Sequence, residues 1–191
     1  MKKRTEAVAI GASSGGIDAL FSILPELPAN YPFPILTVIH LPPDKESLLS
    51  EIFSARCKLK VCEAEDKQRL EPGTIYFAPP NYHLLVEKDK TLSLSNEEPV
   101  AFSRPSIDVL FESAADAYGE GLIGVILTGA NSDGAEGLKA VTSSKGTALI
   151  QDPAQAFMSA MPEAALQNCP DAHLLQLSEI SDFLKKAGDM P

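Results

Sequence analysis

The segment Gly11-Ala12-Ser13-Ser14-Gly15-Gly16 places a serine among glycines directly after an apolar run. Gly11 through Gly15 fits G-x-S-x-G, the pattern of an elbow that holds a nucleophilic serine on a sharp strand-to-helix turn. Glycines suit the flanks because such a turn needs close backbone approach and can need positive φ. A helix that follows would direct its free N–H groups toward a developing oxyanion. On this pattern Ser13 is the nucleophile and Ser14 contributes its backbone N–H. The competing reading is a phosphate-binding or simply tight βα turn, although the run matches neither G-x-G-x-x-G nor a Walker loop ending in Gly-Lys-Ser/Thr.

A serine needs a base, and the chain has 3 histidines: His40, His83 and His173. His40 ends an apolar run, Val38-Ile39-His40, and in an open α/β sheet ligands bind beyond the carboxyl ends of the strands. That places His40 on the edge that carries Ser13. His83 opens a short β-type run, and His173 lies in a weakly patterned stretch. The third group should orient the imidazole and stabilise its charged form. Asp133 follows another apolar run, Gly124–Thr128, at the same edge; the plainer alternative is that it caps a helix beginning near Gly134. Ser, His and Asp then occur in an order unlike the Ser, Asp/Glu, His of α/β-hydrolases.

The elements that must position these residues are legible as alternating runs. Ala7–Ala12, Ile35–His40, Leu59–Cys62, Gly73–Ala78, Leu122–Thr128 and Thr147–Ile150 read as strands, mostly apolar throughout, as expected of parallel strands covered on both faces. Ile17–Leu24, Glu46–Ala55, Ser106–Tyr118, Gly134–Ser143 and Ser178–Lys186 have helical spacing. Ser106 is the expected cap of its helix, with Asp108 in the first turn. His83–Glu87 and Thr91–Ser95 flank Lys88-Asp89-Lys90 and read as an antiparallel hairpin added to the sheet, and residues 96–105 as a surface loop. The fold class is α/β: three layers, doubly wound, a mostly parallel sheet with helices on both faces.

Composition sets the outer limits. The 191 residues suit one domain, 1–191, and a net charge of −10 makes nucleic acid a poor partner. No apolar run reaches the roughly 20 residues that span a bilayer. The basic start resembles a signal peptide but runs straight into Ser-Ser-Gly-Gly without a cleavage region. The 3 cysteines, Cys57, Cys62 and Cys169, have no histidine at zinc-site spacing and point to reduced thiols in a cytoplasm. Arg56, Lys58 and Lys60 are close in sequence, most simply as a solvated surface.

Taken together, the motifs resemble the catalytic domain of the chemotaxis protein-glutamate methylesterase (CheB) family. The resemblance covers nearly all of residues 7–166 and rests on six segments in the family's order. They are Ile10–Gly16; His40-Leu-Pro-Pro43; Pro72-Gly-Thr-Ile-Tyr-Phe-Ala-Pro79 with His83; Arg104-Pro-Ser-Ile-Asp-Val-Leu-Phe111; Gly124–Gly129 with Asp133-Gly134; and Met161-Pro-Glu-Ala164. It implies Ser13 as nucleophile, His40 as general base and acid, Asp133 as orienting carboxylate, and the amides of Ser14 and Ala130 as oxyanion donors. It further implies hydrolysis of γ-glutamyl methyl esters on chemoreceptor cytoplasmic domains, with methanol released, no metal or organic cofactor, and glutamine deamidation as a related activity. Ser14 stands where the family commonly has threonine, and Ala130-Asn131-Ser132 where it often has Met-Gly-Asn. The family's usual receiver domain is not expected, since the first strand begins within ten residues of the start, so control would come from a separate receiver or other regulatory protein. A catalytically silent receptor-binding module and an esterase for a different ester are the alternatives.

Overall fold

The computed structural model describes residues 4–41 and 47–189. The Pro42-Pro43 pair, Glu46 at the start of the helix expected over Glu46–Ala55, the basic start through Lys3 and the last two residues lie outside them. Strand β1 (Ala7–Ala12) runs through the middle of a sheet, and its alternation divides the core. Ala7 and Ala9 face one apolar layer, while Val8, Ile10 and Ala12 face the other. Burial of all six residues explains why the strand reads as continuously apolar in sequence.

The remaining elements follow as α1 (Gly16–Phe21), β2 (Ile35–Ile39), α2 (Leu49–Ser54), β3 (Lys60–Glu63), β4 (Thr74–Phe77), β5 (His83–Val86), β6 (Leu92–Ser95), α3 (Ile107–Tyr118), β7 (Leu122–Ile126), α4 (Ala135–Ser143), β8 (Thr147–Gln151), α5 (Ala160–Asn168), β9 (His173–Leu175) and α6 (Leu177–Gly188). The seven-stranded sheet has the order β3-β4-β2-β1-β7-β8-β9, and every pairing in it is parallel. On one side the chain runs from β1 to β2, lays β3 at the edge and fills the gap with β4; it then returns to β7 beside β1 and builds outward through β8 and β9. The carboxyl ends of β1, β2 and β7 therefore flank the switch point, where an open α/β sheet leaves a crevice. Register places Ala12 beside Ile39 and Gly11 beside Ile126, bringing the three following loops together.

Helices α3, α4 and α5 cover one face with Leu110, Phe111, Leu138 and Ala165. Helices α1, α2 and α6 cover the other with Leu20, Phe53, Ile180 and Leu184. The expected hairpin forms with His83 opposite Ser95 and Val86 opposite Leu92, but as its own two-stranded sheet. Its apolar face, Leu84, Val86 and Leu92, joins the α3 layer, and the Val86 amide donates to Ser113 Oγ at 3.1 Å. The surface it must bury is met by a helix, so it has no need of the sheet edge.

Two elements are weak in the sequence. Strand β9 is three residues long and mostly exposed, and α5 carries a proline in its first turn. The helix expected over Ile17–Leu24 ends at Phe21, and a 3-10 turn, Leu24–Glu26, follows around Pro25.

Where α3 crosses α4, Gly137 has no room for a side chain: a Cβ would meet Phe111 Cβ at 2.7 Å and the Asp108 Cα at 2.9 Å. Alanine is better than glycine in a helix by about 1 kcal/mol. Overpacking a rigid backbone contact costs about 1–3 kcal/mol, and here the contact wins. Gly137→Ala should therefore lower stability, by up to about 2 kcal/mol, in a denaturant melt.

Candidate active site

The turn after β1 is held from several directions. Ser13 N–H donates to Thr128 O at 2.9 Å, and Gly16 N–H donates to Ser13 O at 2.8 Å. Gly15 has φ +79°, and Phe157 presses on it so closely that a Cβ would meet Phe157 Cβ at 2.6 Å. Gly11 serves close approach: a Cβ there would lie 2.3 Å from Ile107 Cγ2, at the start of α3. The two glycines of the G-x-S-x-G run thus have different physical reasons.

His40 continues the β2 ladder, donating its amide to Ala12 O at 3.1 Å. Its Nε2 donates to Asp133 Oδ2 at 2.8 Å, with the histidine side chain 13% exposed and the aspartate fully buried. Nδ1 is then the ring's basic nitrogen, and Asn131 Nδ2 lies 3.5 Å from it. Asn131 Oδ1 accepts the Asp133 amide at 3.1 Å, which turns the Asn131 amide group toward the ring.

Asp133 does more than hold the histidine. Its Oδ2 also accepts Ile107 N–H at 2.7 Å, and its Oδ1 accepts Ser106 Oγ–H at 2.8 Å and Asp108 N–H at 3.0 Å. Burial alone would raise its pKa, but these hydrogen bonds, led by His40, hold the carboxyl below its ordinary value. Sequence reasoning left open that Asp133 caps the helix near Gly134. It caps α3 instead, and the start of α4 is capped by Asp108, whose Oδ1 accepts the Gly134 and Gly137 amides at 2.9 and 2.7 Å. Ser106 occupies the N-cap position of α3, but its hydroxyl caps nothing in its own helix and goes to Asp133.

His83 is buried with both ring nitrogens engaged: Nδ1 accepts Ser106 N–H at 3.1 Å and Nε2 donates to Glu98 O at 3.0 Å. It ties the 96–105 loop to the start of α3 and has no free nitrogen for chemistry. His173, on β9, lies against Phe183.

Ser13 and His40 line one cavity of about 230 Å³ together with Phe102, Arg104 and Asn131. They also line a second, of about 390 Å³, that runs past Ser14 and Gly15. No hydrogen bond joins Ser13 Oγ to the imidazole in this structure. Among the described residues the backbone amides of Ser14 and Ala130 have no acceptor. Thr128, which sequence reasoning passed over, ties the two loops that carry these amides: its Oγ1 donates to Ser14 O at 2.9 Å and accepts Met158 N–H at 2.9 Å. Its amide in turn donates to the Gln151 side chain at 2.8 Å. The signal was a hydroxyl residue at the end of a buried apolar strand, Leu127-Thr128-Gly129.

Among the described residues no three His, Cys, Asp or Glu side chains converge as metal ligands would, and no helix is long and apolar enough to cross a membrane. Arg56 and Lys60 are each engaged within the chain, Arg56 over the Phe21 ring at 4.3 Å and Lys60 with Glu71 at 3.3 Å.

The parallel sheet thus gathers a serine, a histidine and a buried carboxylate at its switch point, where an open α/β sheet binds its ligands. The chain belongs to the CheB methylesterase family, which matches residues 8–184. Its structure is similar to the crystal structure of the Thermotoga maritima CheB methylesterase catalytic domain, with TM-score 0.90 and 31% identity, covering 95% of this chain and 98% of that one. A putative protein-glutamate methylesterase/protein-glutamine glutaminase of Leptospira interrogans is 49% identical over 178 residues, 93% of this chain and 92% of that protein. The protein-glutamate methylesterase/protein-glutamine glutaminase of Trichodesmium erythraeum is 38% identical over 162 residues, 83% of this chain but 46% of the relative's own length. The chain thus spans nearly all of the first relative and about half of the second.

Burial, with Asp133 beside it, pushes Asp108 up to about 6 from an ordinary 3.8. A folded pKa above the unfolded one means that ionised Asp108 opposes folding above about pH 6, and that this opposition fades toward pH 3.8. Asp133, with its pKa lowered, acts oppositely, stabilising the fold above 3.8 and ceasing to do so only below that value. Asp108→Asn keeps an acceptor for the two amides and removes the charge. Its melting temperature should exceed that of the wild type by a few degrees at pH 8 and match it near pH 4. A variant less stable than wild type at pH 8 would mean that attraction to the start of α4 outweighs burial.

Proposed function

We propose that residues 1–191 act as a single catalytic domain that hydrolyses γ-glutamyl methyl esters on chemoreceptor cytoplasmic domains, releasing methanol. The observation that carries the reading is the 2.8 Å contact between His40 Nε2 and buried Asp133, made at the edge where Ser13 ends its strand. Family membership and the names of the relatives supply the substrate class.

In this reading His40 Nδ1 takes the proton from Ser13 Oγ as the oxygen attacks the ester carbonyl. Asp133, with four donors around it, holds the ring so that Nδ1 faces the cavity and stabilises the imidazolium that forms. The amides of Ser14 and Ala130 receive the oxyanion; in comparable sites one such donor is worth about 2.7–4 kcal/mol. Because only the amide is used, the side chains at these positions leave this part of the chemistry untouched. Imidazolium Nδ1–H then protonates the departing methoxide, leaving an acyl-enzyme. Water attacks that ester with Nδ1 as base, and Ser13 leaves with the proton returned, giving the free glutamate. A glutamine side chain fits the same sequence with ammonia as leaving group, the activity in the second half of the relatives' names. No step calls for a metal or organic cofactor. The receptor's helical regions and this enzyme would meet in the cytoplasm, with a separate receiver or other protein as regulator.

A silent binding module is the competing reading, since Ser13 Oγ makes no hydrogen bond to His40 in this structure. Catalytic hydrogen bonds are often long before substrate arrives, which keeps the esterase reading ahead. Methanol release from a methylated receptor fragment decides between them. Ser13→Ala should abolish release above background, whereas Ser14→Ala should keep most of it. Asp133→Asn should lower kcat by about 10³–10⁴-fold, because an amide cannot hold the imidazole in the required tautomer. Wild type and Ser13→Ala releasing equally, both at background, would defeat the proposal.

A further inference from the structure

Phe102 and Phe157 are the most exposed large apolar side chains among the described residues, Phe102 entirely open to water and Phe157 77% exposed. A solitary exposed apolar residue is ordinary. Their placement is not. Phe102 lines the cavity that holds Ser13, His40 and Asn131. Phe157 arrives from the β8 side and lies directly on Gly15 of the elbow. Exposed Val100 and Met158 accompany them, one in each loop.

Neither loop is slack. Ala101 and Phe102 both have positive φ, 48° and 62°, in a turn closed by paired bonds between Val100 and Ser103. Non-glycine residues keep such conformations only where the surroundings impose them, and they concentrate at functional sites. Here the surroundings are Arg104, whose Nη1 donates to Asn96 O and Glu97 O at 2.9 and 3.0 Å, and His83, which holds Glu98 O. The Phe157 loop is pinned by Met158 to Thr128 and by Gln155 Oε1, which accepts Leu177 N–H at 2.9 Å. Both aromatic rings are thus presented to water by strapped backbone, in poses already paid for.

We propose that Phe102 and Phe157 are specificity-determining residues that grip the polypeptide carrying the ester, by contact with apolar side chains on either side of the modified glutamate. The inference rests on the esterase reading above. A methyl ester offers the site few atoms to recognise, so discrimination between a protein-borne ester and a small free one must come from the surface around it. Rigid aromatic side chains supply large contact area at low entropic cost. The cavities at Ser13 are open enough to admit a small ester without either ring.

The test compares kcat and KM on a methylated chemoreceptor fragment and on p-nitrophenyl acetate for wild type, Phe102→Ala, Phe157→Ala and the double variant. Alanine keeps the backbone geometry while removing the ring. In the double variant the ratio of kcat/KM on the fragment to kcat/KM on the small ester should fall about tenfold or more, carried by a rise in KM for the fragment. Phe102→Leu should restore much of it and Phe102→Asp none. An unchanged ratio, or equal losses on both substrates, overturns the grip. Wild type that cleaves the small ester but releases no methanol from the fragment defeats the receptor reading itself, and the grip on that substrate with it.

Discussion

Two buried carboxylates exchanged between the starts of neighbouring helices hold the working edge together. Asp133, one residue before the N-cap of α4, serves the amides that open α3; Asp108, inside the first turn of α3, serves the amides that open α4. Each helix presents its positive end to the other's acid; at Asp133 the donors outweigh burial, whereas at Asp108 burial outweighs the two amides. The exchange works only at close range. That explains Gly11, Gly134 and Gly137, each of which lies against α3 with no space for a Cβ. Separating α3 from α4 would strip Asp133 of three of its four donors and Asp108 of the Gly134 and Gly137 amides, a far costlier change than a lost surface contact.

The geometry of the candidate site follows from that clamp. His40 is placed by its strand, but its ring is oriented by an aspartate whose other acceptor sites are already filled by α3. The serine and the two candidate oxyanion amides are joined through Thr128, which spans the β1, β7 and β8 loops. Groups aimed before the substrate arrives need not reorganise during reaction, and this is where such sites gain most of their effect.

Much of this was legible in the sequence, and the illegible part has a common cause. The bounds of β1 match the apolar run residue for residue, because full burial leaves no polar position to blur them. That Ser13, His40 and Asp133 would lie at one edge was legible because a strand's end marks a place in an open sheet. Which helix Asp133 caps was not legible, since the bond runs between elements 25 to 27 residues apart in the chain. The same holds for His83, whose two partners are 15 and 23 residues away, and for the hairpin, whose choice of α3 over the sheet edge depends on three-dimensional packing. Exposed β9 gave no pattern to read, because a mostly solvated edge strand need not be apolar.

The double duty of Asp133 has a consequence for reading related chains. A related chain could vary Ser13 at little structural cost, since its side chain seats no helix, and could vary His40 at the cost of one of the four donors to Asp133. It could not give up Asp133, because α3 would lose its cap and the core its most connected acid. An aspartate at this position is therefore a signature of a fold that needs it, whatever stands at the serine and the histidine.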